Sequence, residues 1–119
     1  MYPGVRLIEE MARRFPGVAE SYACHLYNNL GELLPHVFLW DLIDEIVQSM
    51  INDDGSLAAW MPVLDFLEVR STNGDLEDNI VIGDSFLWSL PAPGSRGYAI
   101  VALLGPSLAA RFAQVRPHG

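Results

Sequence analysis

Between His36 and Asn52 the apolar residues Val37, Leu39, Trp40, Ile43, Ile46, Val47 and Met50 recur at helical spacing, while Asp41, Asp44, Glu45 and Gln48 mark the other face. A strand, with its period of two, would scatter these two sets over both sides, so the stretch commits the chain to an amphipathic helix. Asp53, Asp54 and Gly55 stop it. The same reading predicts a helix over Pro3 to Phe15, with Val5, Ile8, Met11, Ala12 and Phe15 on one stripe, and another over Val18 to Leu34, bounded by Pro16-Gly17 and Pro35. Ser56 reads as the N-cap of a fourth helix carrying Leu57, Trp60, Met61, Leu64 and Leu67, in which Pro62 is tolerable only near the start. After the turn Ser71 to Gly74, Asp75, Glu77 and Asp78 open a fifth helix at the end of its dipole that favours anions. Its packed face is expected to be Leu76, Ile80, Gly83, Leu87 and Leu90, with the glycine allowing a close neighbour. PAPGSRG is a loop, Tyr98 to Leu104 is too short to decide between helix and strand, and Ser107 reads as the cap of a last helix, Leu108 to Val115.

The expected fold is therefore all-α: a single domain, residues 1–119, of about six helices in antiparallel hairpins, an arrangement that a short repeat-like array also satisfies although no internal period is present. Half of the 119 residues are apolar, enough to bury a core without metal or disulfide staples. The single cysteine, Cys24, has no intramolecular partner, which favours a reducing compartment and a cytoplasmic protein. The first residues, MYPGVRLIEEMARRF, mix charges with apolar residues and lack the apolar core of a signal peptide. The longest weakly charged run, Ser85 to Ala110, is interrupted by Pro91, Pro93, Gly94, Arg96, Gly97 and Pro106, against the grain of a membrane span.

Charge is the second constraint. The seven basic residues are all arginine, the acids number fifteen, and the net charge is −8. From Glu32 to Asp84 twelve acids face Arg70 alone, whereas residues 85–119 carry Arg96, Arg111 and Arg116 and no acid. Such a field repels nucleic acid and anionic membranes and attracts a basic protein. The candidate partner-binding residues are accordingly Asp41, Asp44, Glu45, Asp53, Asp54, Asp75, Glu77, Asp78 and Asp84. A solvated helix face is the plain alternative for the first of these, and the acids at Asp53 and Asp54 stand at the unfavourable end of a helix dipole.

Other chemistry finds little support. NDDG at Asn52 to Gly55 lacks the terminal glutamate of a calcium loop, Val63 standing at the twelfth position, and no metal or cofactor is expected. His25 beside Cys24 is not a dyad, since neighbours on a helix point about 100° apart; a buried structural cysteine and a capping or surface histidine are expected, His36 follows Pro35, and His118 beside Pro117 is expected to be frayed. Ser85 and Ser89 fit no nucleophile motif. Trp40, Trp60, Phe66, Phe86 and Trp88 fall within apolar stripes, as core residues or, for one or two, as interface anchors.

The segments VLDFLEVRSTNGDLEDNIVIGDSFLWSL and LLGPSLAARF carry a further pattern: an FLE helix, a short acidic turn, an Asn-Ile-Val core, an SFLxxL helix and a leucine-rich LGP segment. The residues concerned are Phe66, Leu67, Glu68, Asn79, Ile80, Val81, Ser85, Phe86, Leu87, Leu90, Leu104, Gly105 and Pro106. In these the chain resembles a small, helical bacterial domain family of unknown function. The likeness covers roughly the last half of the chain, extends weakly to LPHVFL at Leu34 to Leu39, and departs at Gly83-Asp84, where a more continuous apolar helix is expected. It implies a small helical domain and transfers no catalytic residue. By size and charge alone the chain is also similar to the acidic immunity proteins that neutralise secreted, often cationic, bacterial toxins.

The leading expectation is a non-enzymatic binding protein, an immunity protein whose acidic surface engages a basic toxin, steered by charge and held by a few apolar anchors. The alternatives are a small hydrolase or metal-dependent enzyme using the carboxylates with His25 or His36, and a structural or regulatory subunit that dimerises through its apolar C-terminal half.

Overall fold

Prolines punctuate the chain. Pro16, Pro35 and Pro106 each occupy the first position of a helix, where the missing N–H is no loss, and Phe15, Leu34 and Gly105 before them are extended, as a following proline demands. The computed structural model describes residues 3–119; Met1 and Tyr2, part of the stretch read against a signal peptide, lie outside the described residues. The elements are α1 (Val5–Arg14), α2 (Pro16–Asn28), α3 (Pro35–Asn52), α4 (Leu57–Asn73), α5 (Leu76–Val81) continuing into a π turn (Ile82–Leu87), a 3₁₀ helix (Arg96–Leu103) and α6 (Pro106–Val115). No strand occurs among the described residues, so the all-α expectation holds. The Cα radius of gyration, 13.5 Å, matches the roughly 13.5 Å expected of one body of this length.

The helix α3 is the hub. Phe38, Leu39, Leu42 and Ile46 on its inner face are fully buried, and α2, α4, the π turn and the 3₁₀ helix all pack against it. Leu7, Ile8 and Met11 of α1, Leu67 of α4, Ile82, Phe86 and Leu87 of the π turn and Ile100 of the 3₁₀ helix complete the core. The helix α6 closes the far side, on α4 and the π turn.

Three local features differ from the sequence reading and one open point is decided. The helix α2 stops at Asn28 rather than Leu34, because Leu30 and Gly31 turn left-handed (φ 56° and 82°) and the Gly31 N–H closes back onto the Leu26 carbonyl. Ser56 caps nothing with its side chain; the Asp54 carboxylate accepts the Ser56 N–H instead. Tyr98 to Leu104 lies mostly in the 3₁₀ helix. The last helix begins at Pro106, and its cap is not Ser107 but the carboxylate of Glu68, which accepts the N–H groups of Ser107 and Leu108 at 2.8 and 2.9 Å from the neighbouring helix.

The fifth helix keeps its predicted start and the second half of its predicted face: Gly83, Leu87 and Leu90 are buried, Leu76 and Ile80 are not. Asp75 is the N-cap, its Oδ1 accepting the Asp78 N–H at 2.9 Å. Leu76 is exposed and Ile80 is 43% exposed, whereas Asp78, Val81 and Ile82 point inward and Phe86, Leu87 and Leu90 follow. The π turn spends an extra residue per turn and so rotates the buried line by about 100° between Ile82 and Leu87. Spacing counted at 3.6 residues per turn cannot follow that rotation.

Candidate functional site

The nine acids proposed from sequence divide into three groups. The first is absorbed into the fold. Asp75 and Glu77 pair with Arg6 of α1 at 3.0 and 3.8 Å, and Asp78, nearly buried, pairs with Arg70 of α4 at 3.4 Å. Arg70 also meets Glu10 at 2.6 Å, and Arg14 meets Glu10 at 3.0 Å, so α1, α4 and α5 are laced by one ionic network. Arg14 and Arg70 each lie over the Phe66 ring, at 5.1 and 4.8 Å from its centroid. The Arg70 guanidinium holds the Glu10 carboxyl below its ordinary value, and the backbone N–H of Asp78, ahead of Arg6, does the same for Asp75. These three acids hold helices together, which accounts for them without a partner.

The second group lies along α3 and the turn after it. Asp41, Asp44 and Glu45 are exposed and line a cleft of about 260 Å³ between α2 and α3, together with Ser21, Cys24, His25, Asn28 and Asn29. The Ser21 hydroxyl donates to Glu45. Asp53 is the left-handed C-cap of α3 (φ 48°), and Asp54 is held below its usual value by Ser56, so both serve the turn.

The cleft reverses the expectation for the Cys24-His25 pair. Cys24 is exposed and His25 is buried, packed edge-on against Phe38. His25 Nε2 accepts the Leu34 N–H at 3.0 Å, and Asn29, whose amide nitrogen lies 3.4 Å from Nδ1, donates to the His25 carbonyl. The imidazole thus ties the end of α2 to the start of α3. A histidine and carboxylates do meet in one concavity, as the hydrolase alternative requires, yet the ring nitrogen that accepts a proton is already engaged by backbone. Among the described residues no group of three or more His, Cys, Asp and Glu side chains is placed to hold a metal ion.

The third group is Asp84, and it stands in different surroundings. It is exposed at the lip of an apolar groove of about 360 Å³ between the N-terminal part of α3 and the α5–π segment, lined by Pro3, Leu34, Pro35, His36, Val37, Ile80, Val81, Asp84 and Ser85. Asp84 and Ser85 lie in the π turn, next to the buried Gly83. A Cβ at Gly83 would stand 3.1 Å from Nη2 of Arg111 in α6, whose guanidinium donates to the Asn79 carbonyl at 2.7 Å and to its side-chain oxygen at 3.2 Å. The close neighbour expected at this glycine is therefore an arginine side chain from α6. The Gly83-Asp84 departure from the apolar pattern has two uses, one inward and one outward.

No protein-family model, curated protein or solved structure matches the chain.

Exposed aromatic residues stand on or next to the two elements that form the groove. Trp40 follows His36 by one helical turn and Trp88 follows Asp84 at the same interval; both are about three-fifths exposed, at 61% and 60%. Val37, Leu76 and Ile80 add further exposed apolar surface on the same two elements. Sequence periodicity placed both tryptophans within apolar stripes; the usable signal was their position at the edge of those stripes, with Asp41 after Trp40 and Asp84 four residues before Trp88. No arginine lines the groove among the described residues. Arg6, Arg14, Arg70, Arg111 and Arg116 are all committed elsewhere, the last to the carbonyls of Trp88, Leu90 and Pro91. The surface offers apolar contact bordered by negative charge. No helix among the described residues is long and apolar enough to cross a membrane.

Proposed function

We propose that this chain is a non-enzymatic, cytoplasmic protein-binding domain that engages a basic protein, in the manner of an immunity protein held against a cationic toxin. The observation that carries the reading is the division of the acids. Asp75, Glu77 and Asp78 are paired with arginines within the fold, while Asp41, Asp44 and Asp84 remain exposed on helices that also carry the exposed Val37, Trp40, Ile80 and Trp88. Aromatic anchors next to uncompensated charge of one sign are what a steered, then desolvated, interface requires. The mechanism is occlusion: long-range attraction brings the cationic surface in, and burial of the tryptophans and the groove slows its release.

The test begins with affinity capture from the native host and identification of the captured protein by mass spectrometry, followed by stopped-flow association with the purified partner. The association rate is expected to fall by about tenfold or more as ionic strength rises from roughly 0.05 to 0.5 M, because the Debye length shortens to a few ångströms over that range. An association rate indifferent to salt, or an acidic partner, removes the reading.

A further inference from the structure

We infer that the groove between α3 and the α5–π segment receives one amphipathic helix of the basic partner, its apolar side chains against Val37, Ile80 and Val81 and a lysine or arginine at Asp84. This rests on the binding reading above and narrows it to one element and one contact.

The walls argue for a helix. Both are themselves helical, so the groove is bounded by side-chain rows, His36 and Val37 on one side and Ile80 and Asp84, one turn apart, with Val81 and Ser85 on the other. Rows of that spacing accept the ridges of another helix. Strand addition has no template, because no sheet edge exists among the described residues. Ile80 to Ser85 spans on the order of 8 Å of axis, the length of about one and a half turns of a docked helix.

Charge argues for its composition. Asp84 is exposed at the groove's lip and is the carboxylate among its lining residues. No arginine lines the groove among the described residues, so a helix whose polar flank is basic meets only opposite charge there, and one with an acidic flank is repelled. The same asymmetry argues against a second copy of this chain as occupant. Two such faces brought together would oppose carboxylates to carboxylates.

The experiment uses the full chain, isotope-labelled, and three synthetic peptides of about 14 residues, four turns long. One carries leucines at helical spacing with lysines elsewhere, the second replaces lysine by glutamate, and the third scrambles the first so that no apolar face forms. The Leu/Lys peptide is expected to shift the amide resonances of Val37, Ile80, Asp84 and Ser85 and to gain helical circular dichroism on binding. Asp84→Asn is expected to weaken it about fivefold, and Ile80→Arg or Val37→Arg to abolish it; both positions are exposed enough for the fold to persist. Equal binding of the scrambled peptide overturns the inference, as does the absence of binding at the groove. Shifts confined to Ser21, Cys24, Asp41 and Glu45 overturn it while leaving the basic-partner reading standing. Equal binding of the Leu/Glu peptide at the groove removes the charge argument on which both depend. Concentration-dependent shifts at Val37 and Ile80 in the chain alone would make a second copy the occupant and overturn it as well.

Discussion

Replacing Arg70 with methionine is expected to destabilise the fold by about 3 kcal/mol, seen as a fall in Tm of roughly 10–15 °C for a chain of this length. The length of the side chain is nearly preserved, so the loss is chiefly one of charge and hydrogen bonding. Arg70 is the shared partner of Glu10 and Asp78, with side-chain exposures of 22%, 23% and 9%. Removing it leaves two carboxylates facing each other's neighbourhood in a partly desolvated seam, and takes a cation from the face of Phe66. Full burial would put the cost higher; water at Glu10 lowers it.

The effect carries a pH signature. The Glu10 carboxyl lies below the ordinary glutamate value of 4.5, chiefly through its hydrogen bond with Arg70. A carboxyl depressed in the folded state contributes stability that is complete above its unfolded value and is lost as pH falls through the folded one. The gap between wild type and Arg70→Met is therefore expected to narrow in chemical denaturation as pH drops from about 6 to about 3, since protonation removes the attraction in one protein and the orphaned charges in the other. A gap that stays constant over this range, or a loss below about 0.5 kcal/mol, would mean the network is ornamental to the fold.

That network also marks the limit of what the residue pattern could convey. The start of α5 was legible because a cap acts within three residues, from Asp75 to the Asp78 N–H. Its acids looked free because their partners are remote: Arg6 lies sixty-nine positions from Asp75 in sequence. An excess of acid over base along a segment says nothing about which acids a distant arginine will reach. The central helix α3 was legible for the opposite reason, since its inner and outer faces are written within its own residues. The Cys24-His25 inversion shows how fine the margin is. Two adjacent helical positions differ by about 100°, so a small error in helix rotation exchanges the buried residue for the exposed one.

The groove was half legible. Asp84 stood out as a carboxylate without a place in the packed face, and Trp40 and Trp88 stood out as large aromatics. What no fixed periodicity shows is the π turn that carries Asp84 at the groove. Such turns interrupt a helix at a cost and are frequent where a side chain must be re-aimed. Here the interruption is accommodated by Arg111, which lies beside Gly83 and bonds the Asn79 carbonyl. The outward face of the α5–π segment is thus supported from α6, the element farthest along the chain.

The second large effect concerns how α6 itself is held. Glu68→Ala and Gly105→Ala are each expected to cost about 2 kcal/mol, and the double substitution little more than either alone. Glu68 supplies both carboxylate oxygens to the first turn of α6, at the Ser107 and Leu108 N–H groups, where the positive end of the dipole adds to the bonds. A Cβ at Gly105 would stand 2.6 Å from the Glu68 Cδ and 2.7 Å from Oε1, so alanine there must drive the carboxylate off the helix end. Because the two changes break one interaction, a double-mutant cycle by urea denaturation should return a coupling energy close to the single-mutant cost. Additive losses would show instead that Gly105 matters for the backbone alone. Glu68, Gly105 and Pro106 all belong to the FLE and LGP segments, so part of that pattern is explained as a helix cap made across thirty-nine residues of chain. A surface built on α5 and the π turn is only as firm as α6 behind it, and the Glu68 variants should loosen the groove, seen as faster amide exchange at Asp84 and Ser85, before they unfold the domain.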